Sequence, residues 1–172
     1  VAINYRDACF NYDIDWLKER GIQPPTSWRE LGDSRFKDLV VVTNPRLSSP
    51  GLAFLATTHA GFETSAEVFA YWRSLRDNGV KVVAGWSDAY FTDFTRAGGT
   101  RPIVLSYASS PAAEVSEDGT PATAALLDEC FRQTEYAGVI SGSANPQGAR
   151  AFVDFMKSDQ FQSELPWNMF VY

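Results

Sequence analysis

The sequence predicts an α/β fold, a single three-layer lobe over residues 1–172 with a mostly parallel central sheet and helices on both faces. Two observations carry this. Runs such as Leu39-Val40-Val41-Val42-Thr43 are continuously apolar and β-branched, as strands buried on both faces are. Between them lie segments of helical period, opened by Ser, Thr or Asn and closed by glycine. A chain of 172 residues can enclose one hydrophobic core and would crowd two full domains.

Along the chain, Ala8 to Asp13 reads as a strand, and Asp15 to Arg20 as a short helix stopped by Gly21. After Pro24-Pro25, Ser27 with Glu30 three residues on predicts a capping box. Leu39–Thr43 is the next strand. Ser49, with Pro50 in the first helical position, starts a helix that runs to Gly61. Thr64 and Glu67 form a second capping box, opening a helix whose Phe69, Trp72 and Leu75 are expected on the core face, with Arg73 and Arg76 toward water. Val80–Ala84 is a strand, Asp88 to about Thr95 a helix, and Pro102–Leu105 a strand. Ser110-Pro111 begins another helix, and Glu114 to Thr123 reads as a surface loop. Cys130–Ile140 reads as a long strand, and Asn145-Pro146 caps a helix carrying Phe152, Phe155 and Met156.

The formal charge of −6 is spread along the chain, which leaves no footprint for nucleic acid or an anionic membrane surface. No stretch approaches the roughly 20 apolar residues needed to span a bilayer, and the opening Val1-Ala2-Ile3-Asn4-Tyr5 lacks the pattern of an export signal. That opening, together with an end at Phe170-Val171-Tyr172 that reads as mid-strand, is expected of a piece of a longer protein. Cys9 and Cys130 each sit in an apolar, aromatic run read as a strand, outside any metal-binding spacing. They are either bridged or two buried thiols.

The most informative pattern occurs at three places, where an apolar strand runs through a turn rich in serine with glycine or proline into a helix start. These are Thr43 to Gly51, Gly85-Trp86-Ser87, and Ser106 to Pro111. In a parallel sheet the carboxyl ends of such strands share one edge, so the turns are expected to converge there. Their helix N-termini offer unpaired N–H groups and the equivalent of about half a positive charge, and Ser48, Ser87 and Ser109 add hydroxyls. The competing explanation for each serine is that it only caps its own helix. Trp86, Tyr90 and Tyr107 stand among the serines as faces for a heteroaromatic ring or an organic cation, or else as core.

Catalysis finds little support. The lone histidine, His59, lies within a helix with no ligand partner at the fourth position on, and no nucleophile elbow, phosphate loop or dinucleotide fingerprint occurs. Asp88, Asp93 and Glu114 read as solvated helix residues, and no cofactor is implied.

Four ordered blocks resemble the thiamine-binding proteins of ABC importers, within the periplasmic-binding-protein superfamily. They are Asn44-Pro45-Arg46-Leu47-Ser48-Ser49-Pro50-Gly51-Leu52, Gly85 to Tyr90, Val104 to Ala112, and Phe152 to Met156 with Phe161-Gln162. The resemblance runs nearly end to end. It implies the second of two α/β lobes that trap a ligand between them, the first lobe lying outside this sequence. It further implies an extracytoplasmic receptor, periplasmic or lipid-anchored, that delivers its ligand to a permease and an ATPase. At the site it implies that Ser48 binds the phosphate or hydroxyethyl end, that Ser49 and Gly51 give backbone donors, that Trp86 donates its indole N–H or packs nearby, and that Tyr107 lines the pocket. Ala113 and Phe170 depart from it, since relatives can carry an aromatic at the first position and a tryptophan at the second.

Three readings follow. The first is a receptor for thiamine or a thiamine phosphate. The second is a receptor for another small solute, an iron(III) chelate, polyamine or phosphonate, since scaffolds are reused. The third is a hydrolase or transferase with Ser48 or Ser109 as nucleophile, for which the sequence shows no general base.

Overall fold

The computed structural model describes residues 1–116 and 118–169. Their packing separates into two compact units, one of Asp7–Phe131 and one of Val1–Arg6 with the chain from Arg132 onward. Strand β1 (Ala2–Asp13) passes through both and begins at Ala2 rather than Ala8.

In the larger unit, Asp13 caps α1 (Ile14–Glu19) by accepting the Trp16 N–H at 3.0 Å. A 3₁₀ helix follows at Trp28–Gly32. Ser27 caps it by accepting the Arg29 N–H, but Glu30 turns back to Thr26 and not to Ser27, so the expected box does not close. The Glu129 carboxylate instead takes the Ser27 hydroxyl and the Trp28 N–H, at 2.7 and 2.9 Å. Then come β2 (Val40–Thr43), α2 (Ser49–Gly61), α3 (Ser65–Asp77), β3 (Lys81–Val83), β4 (Ile103–Tyr107) and β5 (Thr123–Ala125).

The strands of this unit lie in the order β3-β2-β4-β1-β5. β2 is parallel to both β3 and β4, and β1 is antiparallel to β4 and β5. The sheet is therefore mixed, with its parallel part confined to β3-β2-β4. Because side chains alternate along a strand, the two faces carry separate cores. Phe10, Val40, Val42, Ile103 and Leu105 pack with Trp28, Phe54, Tyr71 and Leu75 on the side of α2 and α3. Val41 and Val104 pack with Ala89, Tyr90 and Phe94 on the other. On the first face Phe10 meets Phe54 edge-on at 4.8 Å and Trp28 meets Tyr71 at 5.2 Å, pairs worth about 0.5–1.5 kcal/mol beyond their burial. The buried Tyr71 hydroxyl donates to the Trp28 carbonyl at 2.5 Å, and burial pushes that phenol well above its ordinary pKa.

Several expectations are corrected. The capping box of α3 forms as read, but Phe69 is 59% exposed, and the core face is Val68, Tyr71 and Leu75 with Trp72 at its margin. The segment read as one helix over Asp88–Thr95 is a single α turn, α4 (Trp86–Asp88), followed by a wider π-helical stretch at Ala89–Asp93 and a 3₁₀ turn at Thr95–Ala97. The Phe94 N–H bonds Ala89 O, five residues back, which seats Phe94 in the core. Strand β5 falls at the end of the expected loop, where Thr123-Ala124-Ala125 carries no strand signal of its own and pairs because β1 presents a free edge. Glu117 of that loop lies outside the described residues, as does the strand read at Phe170-Val171-Tyr172.

Cys9 and Cys130 are disulfide-bonded, their α-carbons 4.6 Å apart, which decides between the two alternatives. Cys130 sits just ahead of β6 (Phe131–Tyr136), and that strand is shorter than the Cys130–Ile140 run expected. In the smaller unit β6 pairs with β1, and Arg6 and Glu135 form a salt bridge. Asn145 caps α5 (Pro146–Met156) by accepting the Gly148 N–H at 2.9 Å. Helices α6 (Asp159–Gln162) and α7 (Leu165–Met169) follow, with Phe155 and Phe161 in edge contact and Gln162 bonded to the Ile3 carbonyl at 3.0 Å. Among the described residues no helix is long and apolar enough to cross a membrane.

Candidate functional site

The three serine-bearing turns all leave the carboxyl ends of mutually parallel strands, β2, β3 and β4, and so share one edge of the larger unit. Contacts between the turns fix this. The Asn44 N–H bonds the Val83 carbonyl at 2.8 Å, joining the first turn to the end of β3, and the Trp86 indole N–H bonds Ser106 Oγ at 2.8 Å, joining the second turn to β4. The chain leaves β2 toward Phe54 on one face and leaves β3 toward Tyr90 on the other. Connections that diverge from adjacent parallel strands open a crevice at their carboxyl ends.

The first turn is rigid for local reasons. Asn44 Oδ1 accepts the Arg46 N–H at 2.9 Å, and the Asn44 carbonyl accepts the Leu47 and Ser48 N–H groups at 3.0 Å. Ser48, in extended conformation, occupies the N-cap of α2, with Ser49 and Pro50 in its first turn. The Ser48 side chain makes no capping bond, and neither the Ser48 nor the Ser49 hydroxyl has a protein hydrogen-bond partner among the described residues. Capping does not account for them. Gly51 is buried against the backbone of Thr43 and Asn44, where any side chain would overlap main-chain atoms, so close helix–strand packing already requires a glycine there.

In the second turn the Asp88 carboxylate accepts the Gly85 N–H at 3.0 Å, which leaves Ser87 exposed and unbonded. Trp86 is half-buried. Its ring stacks on Tyr90 at 4.9 Å with 20° between planes, meets Phe91 edge-on at 5.1 Å, and faces Tyr107 at 6.1 Å. The indole N–H expected to reach a ligand is already donated to Ser106, so of the two roles expected for Trp86 packing is the one left open. Tyr90 is buried and belongs to the core, its phenol pushed above the ordinary value by burial and then by the nearby Glu114 carboxylate.

In the third turn Tyr107 and Ser109 are half-buried, and Ser109 precedes the 3₁₀ helix Ser110–Ala113. The Tyr107 carbonyl accepts from the Asn11 side chain at 3.1 Å. Thus Ser48, Ser49, Gly51, Trp86, Ser87, Tyr107 and Ser109 all lie on one edge of one unit.

Sequence reasoning placed Ser106 and Ser110 in the third turn but gave neither a role at the site. The signal was present in Ile103-Val104-Leu105-Ser106, where alternation puts Ser106 on the same buried face as Val104, a position at which a hydroxyl needs a partner. The surface concavity bounded by Gly138–Ser143 and Ala149 lies in the smaller unit and includes none of the edge residues.

Residues 1–172 match the model of the bacterial extracellular solute-binding protein family. The chain is 33% identical over 174 residues to the thiamine-binding periplasmic protein of Escherichia coli K12, with 100% of this chain and 50% of that protein covered. It is 32% identical over 175 residues to the thiamine-binding periplasmic protein of Brucella suis, covering 96% and 51%. A solved periplasmic thiamin binding protein superposes with a TM-score of 0.79 at 29% identity, over 100% of this chain and 52% of that one. The chain therefore spans about half the length of the curated relatives it matches. From the matched model and these relatives together, the chain belongs to the bacterial extracellular solute-binding protein family.

Proposed function

We propose that this chain is the second, ligand-facing lobe of a receptor for thiamine or a thiamine phosphate, the ligand being held between this lobe and a first lobe outside the sequence. The observation that carries the reading is the convergence on one sheet edge of hydroxyls the protein leaves unbonded, at Ser48, Ser49 and Ser87, with the Trp86 ring beside them. Oxygen-rich and aromatic halves of one ligand need such a pair of surfaces. The first-turn N–H groups of α2, from Ser49 and Gly51, would replace water around a phosphate, and Ser48 would extend that shell. Trp86 and Tyr107 would line the ring end, with Ser109 at its border.

The receptor binds its ligand without altering it and hands it to the permease and ATPase subunits of an ABC importer. An extracytoplasmic setting agrees with the Cys9–Cys130 bond, since disulfides persist in oxidising compartments. Titration calorimetry of the full-length protein with thiamine, thiamine phosphate and a phosphonate tests the reading. Saturable binding of the first two is expected. Binding of the phosphonate alone, or turnover of a phosphate ester that Ser48→Ala abolishes, would replace it.

A further inference from the structure

We propose that Ser106 and Ser110 are positioning residues that hold the Trp86 indole at a fixed angle, so that it recognises a flat cationic ring through its π face and not through its N–H. The inference rests on reading this edge as the ligand site. Its structural half stands independently.

The donor and acceptor count gives the relay a direction. Trp86 Nε1–H and the Tyr107 N–H can only donate, and they point to Ser106 Oγ at 2.8 Å and Ser110 Oγ at 3.4 Å. The two serine oxygens are 2.7 Å apart, so one hydroxyl donates to the other. Ser106 is fully buried, and among the described residues its hydrogen has no acceptor but Ser110. Ser110 then keeps a hydrogen of its own, and Ser110 and the Glu114 carboxylate both lie near the buried phenol of Tyr90. An indole N–H and two hydroxyls thus form a short chain that ends beside the ring on which Trp86 is stacked.

The indole is held twice, through its face by Tyr90 and through its nitrogen by Ser106. Neither serine is placed to touch a ligand, because Ser106 is fully buried and Ser110 is 8% exposed. With its N–H committed, Trp86 offers a ligand only ring surface, whose negative face favours a cationic heterocycle over a neutral one of the same shape. Within the proposed function, the residues that set this preference are two buried serines behind the ring.

The test uses the full-length protein and the variants Ser106→Ala, Ser106→Thr and Ser110→Ala. Two readouts are needed, affinity for thiamine against its neutral deaza analogue, and solvent exchange of the Trp86 indole proton, assigned by its loss in Trp86→Phe. In Ser106→Ala the indole proton is expected to exchange freely, affinity for thiamine to fall about tenfold, and the preference over the neutral analogue to shrink. Ser106→Thr, which keeps the hydroxyl, restores all three, and Ser110→Ala gives a smaller change in the same direction. Should Ser106→Ala not fold, Ser110→Ala and Ser106→Thr carry the comparison. Unchanged ligand preference in Ser106→Ala and Ser110→Ala overturns the proposal. If the wild-type protein ignores thiamine, the ligand reading fails, and the exchange readout alone decides the relay: a proton slow in wild type and fast in Ser106→Ala supports it, and one fast in both overturns it.

Discussion

Gly51, in the first turn of α2, lies against the carbonyl of Thr43 at the end of β2 so closely that even a methyl group would overlap it. The proposed ligand edge and the packing of helix on strand therefore meet at one residue. Replacing Gly51 by Ala should cost about 1–3 kcal/mol of stability, as overpacking does, and lower ligand affinity because the N-terminus of α2 must move. Urea denaturation and calorimetry on the same variant check both, and an unchanged midpoint would show that the helix is free to shift.

Ser48→Ala separates ligand contact from helix capping. A capping serine contributes about 1 kcal/mol to stability, but the Ser48 side chain makes no capping bond. The melting temperature should stay where it is while affinity for thiamine phosphate falls roughly tenfold, the worth of one hydrogen bond to a charged group. A lower melting temperature with unaltered affinity would return Ser48 to a structural role.

The Cys9–Cys130 bond closes a loop with a sequence separation of 121. In the chain-entropy account a loop of that size stabilises the fold by about 4–5 kcal/mol, with native disulfides commonly giving 2–5 kcal/mol. The double variant Cys9→Ser with Cys130→Ser should unfold at distinctly lower denaturant, and the wild-type protein in reductant should follow it. Coincident curves with and without reductant would show the bond to be absent in solution.

Glu30 and Glu67 both hold pKa values below the ordinary 4.5, each through a hydrogen bond from a threonine hydroxyl first, Thr26 and Thr64 respectively. A carboxyl group depressed on folding contributes stability that is complete above its unfolded value and is lost as pH falls through the folded one. Thermal unfolding followed downward from pH 5 should therefore show declining stability. Glu67→Gln should flatten part of that slope, and identical slopes in wild type and variant would deny the α3 capping box its share.

Much of the edge was readable in the sequence, because strand, turn and helix start recur with the same residue types at Thr43–Gly51, Gly85–Ser87 and Ser106–Pro111, and parallel pairing then forces them together. What was not readable depends on neighbours. Phe69 satisfies the helical period as well as Tyr71 does, yet the core accepts Val68, Tyr71 and Leu75, a choice set by how α3 is rotated on the sheet. The wide turn at Ala89–Asp93 has no local signature and exists because Phe94 must reach the core. Thr123–Ala125 becomes a strand through the edge that β1 offers it. Ser106 reads as the start of a turn, and its place inside β4 and its bond to the Trp86 indole depend on the neighbouring strand and turn.

The cross-link at Cys9 and Cys130 encloses nearly all of the unit Asp7–Phe131. A pull on the two ends of the chain would run from one flank to the other through sulfur, leaving everything between under no tension. A protease that nicked the enclosed stretch once would open a ring without releasing a fragment. Threading through a narrow pore would require the whole loop to pass doubled, so the fold's mechanical weak points belong outside it.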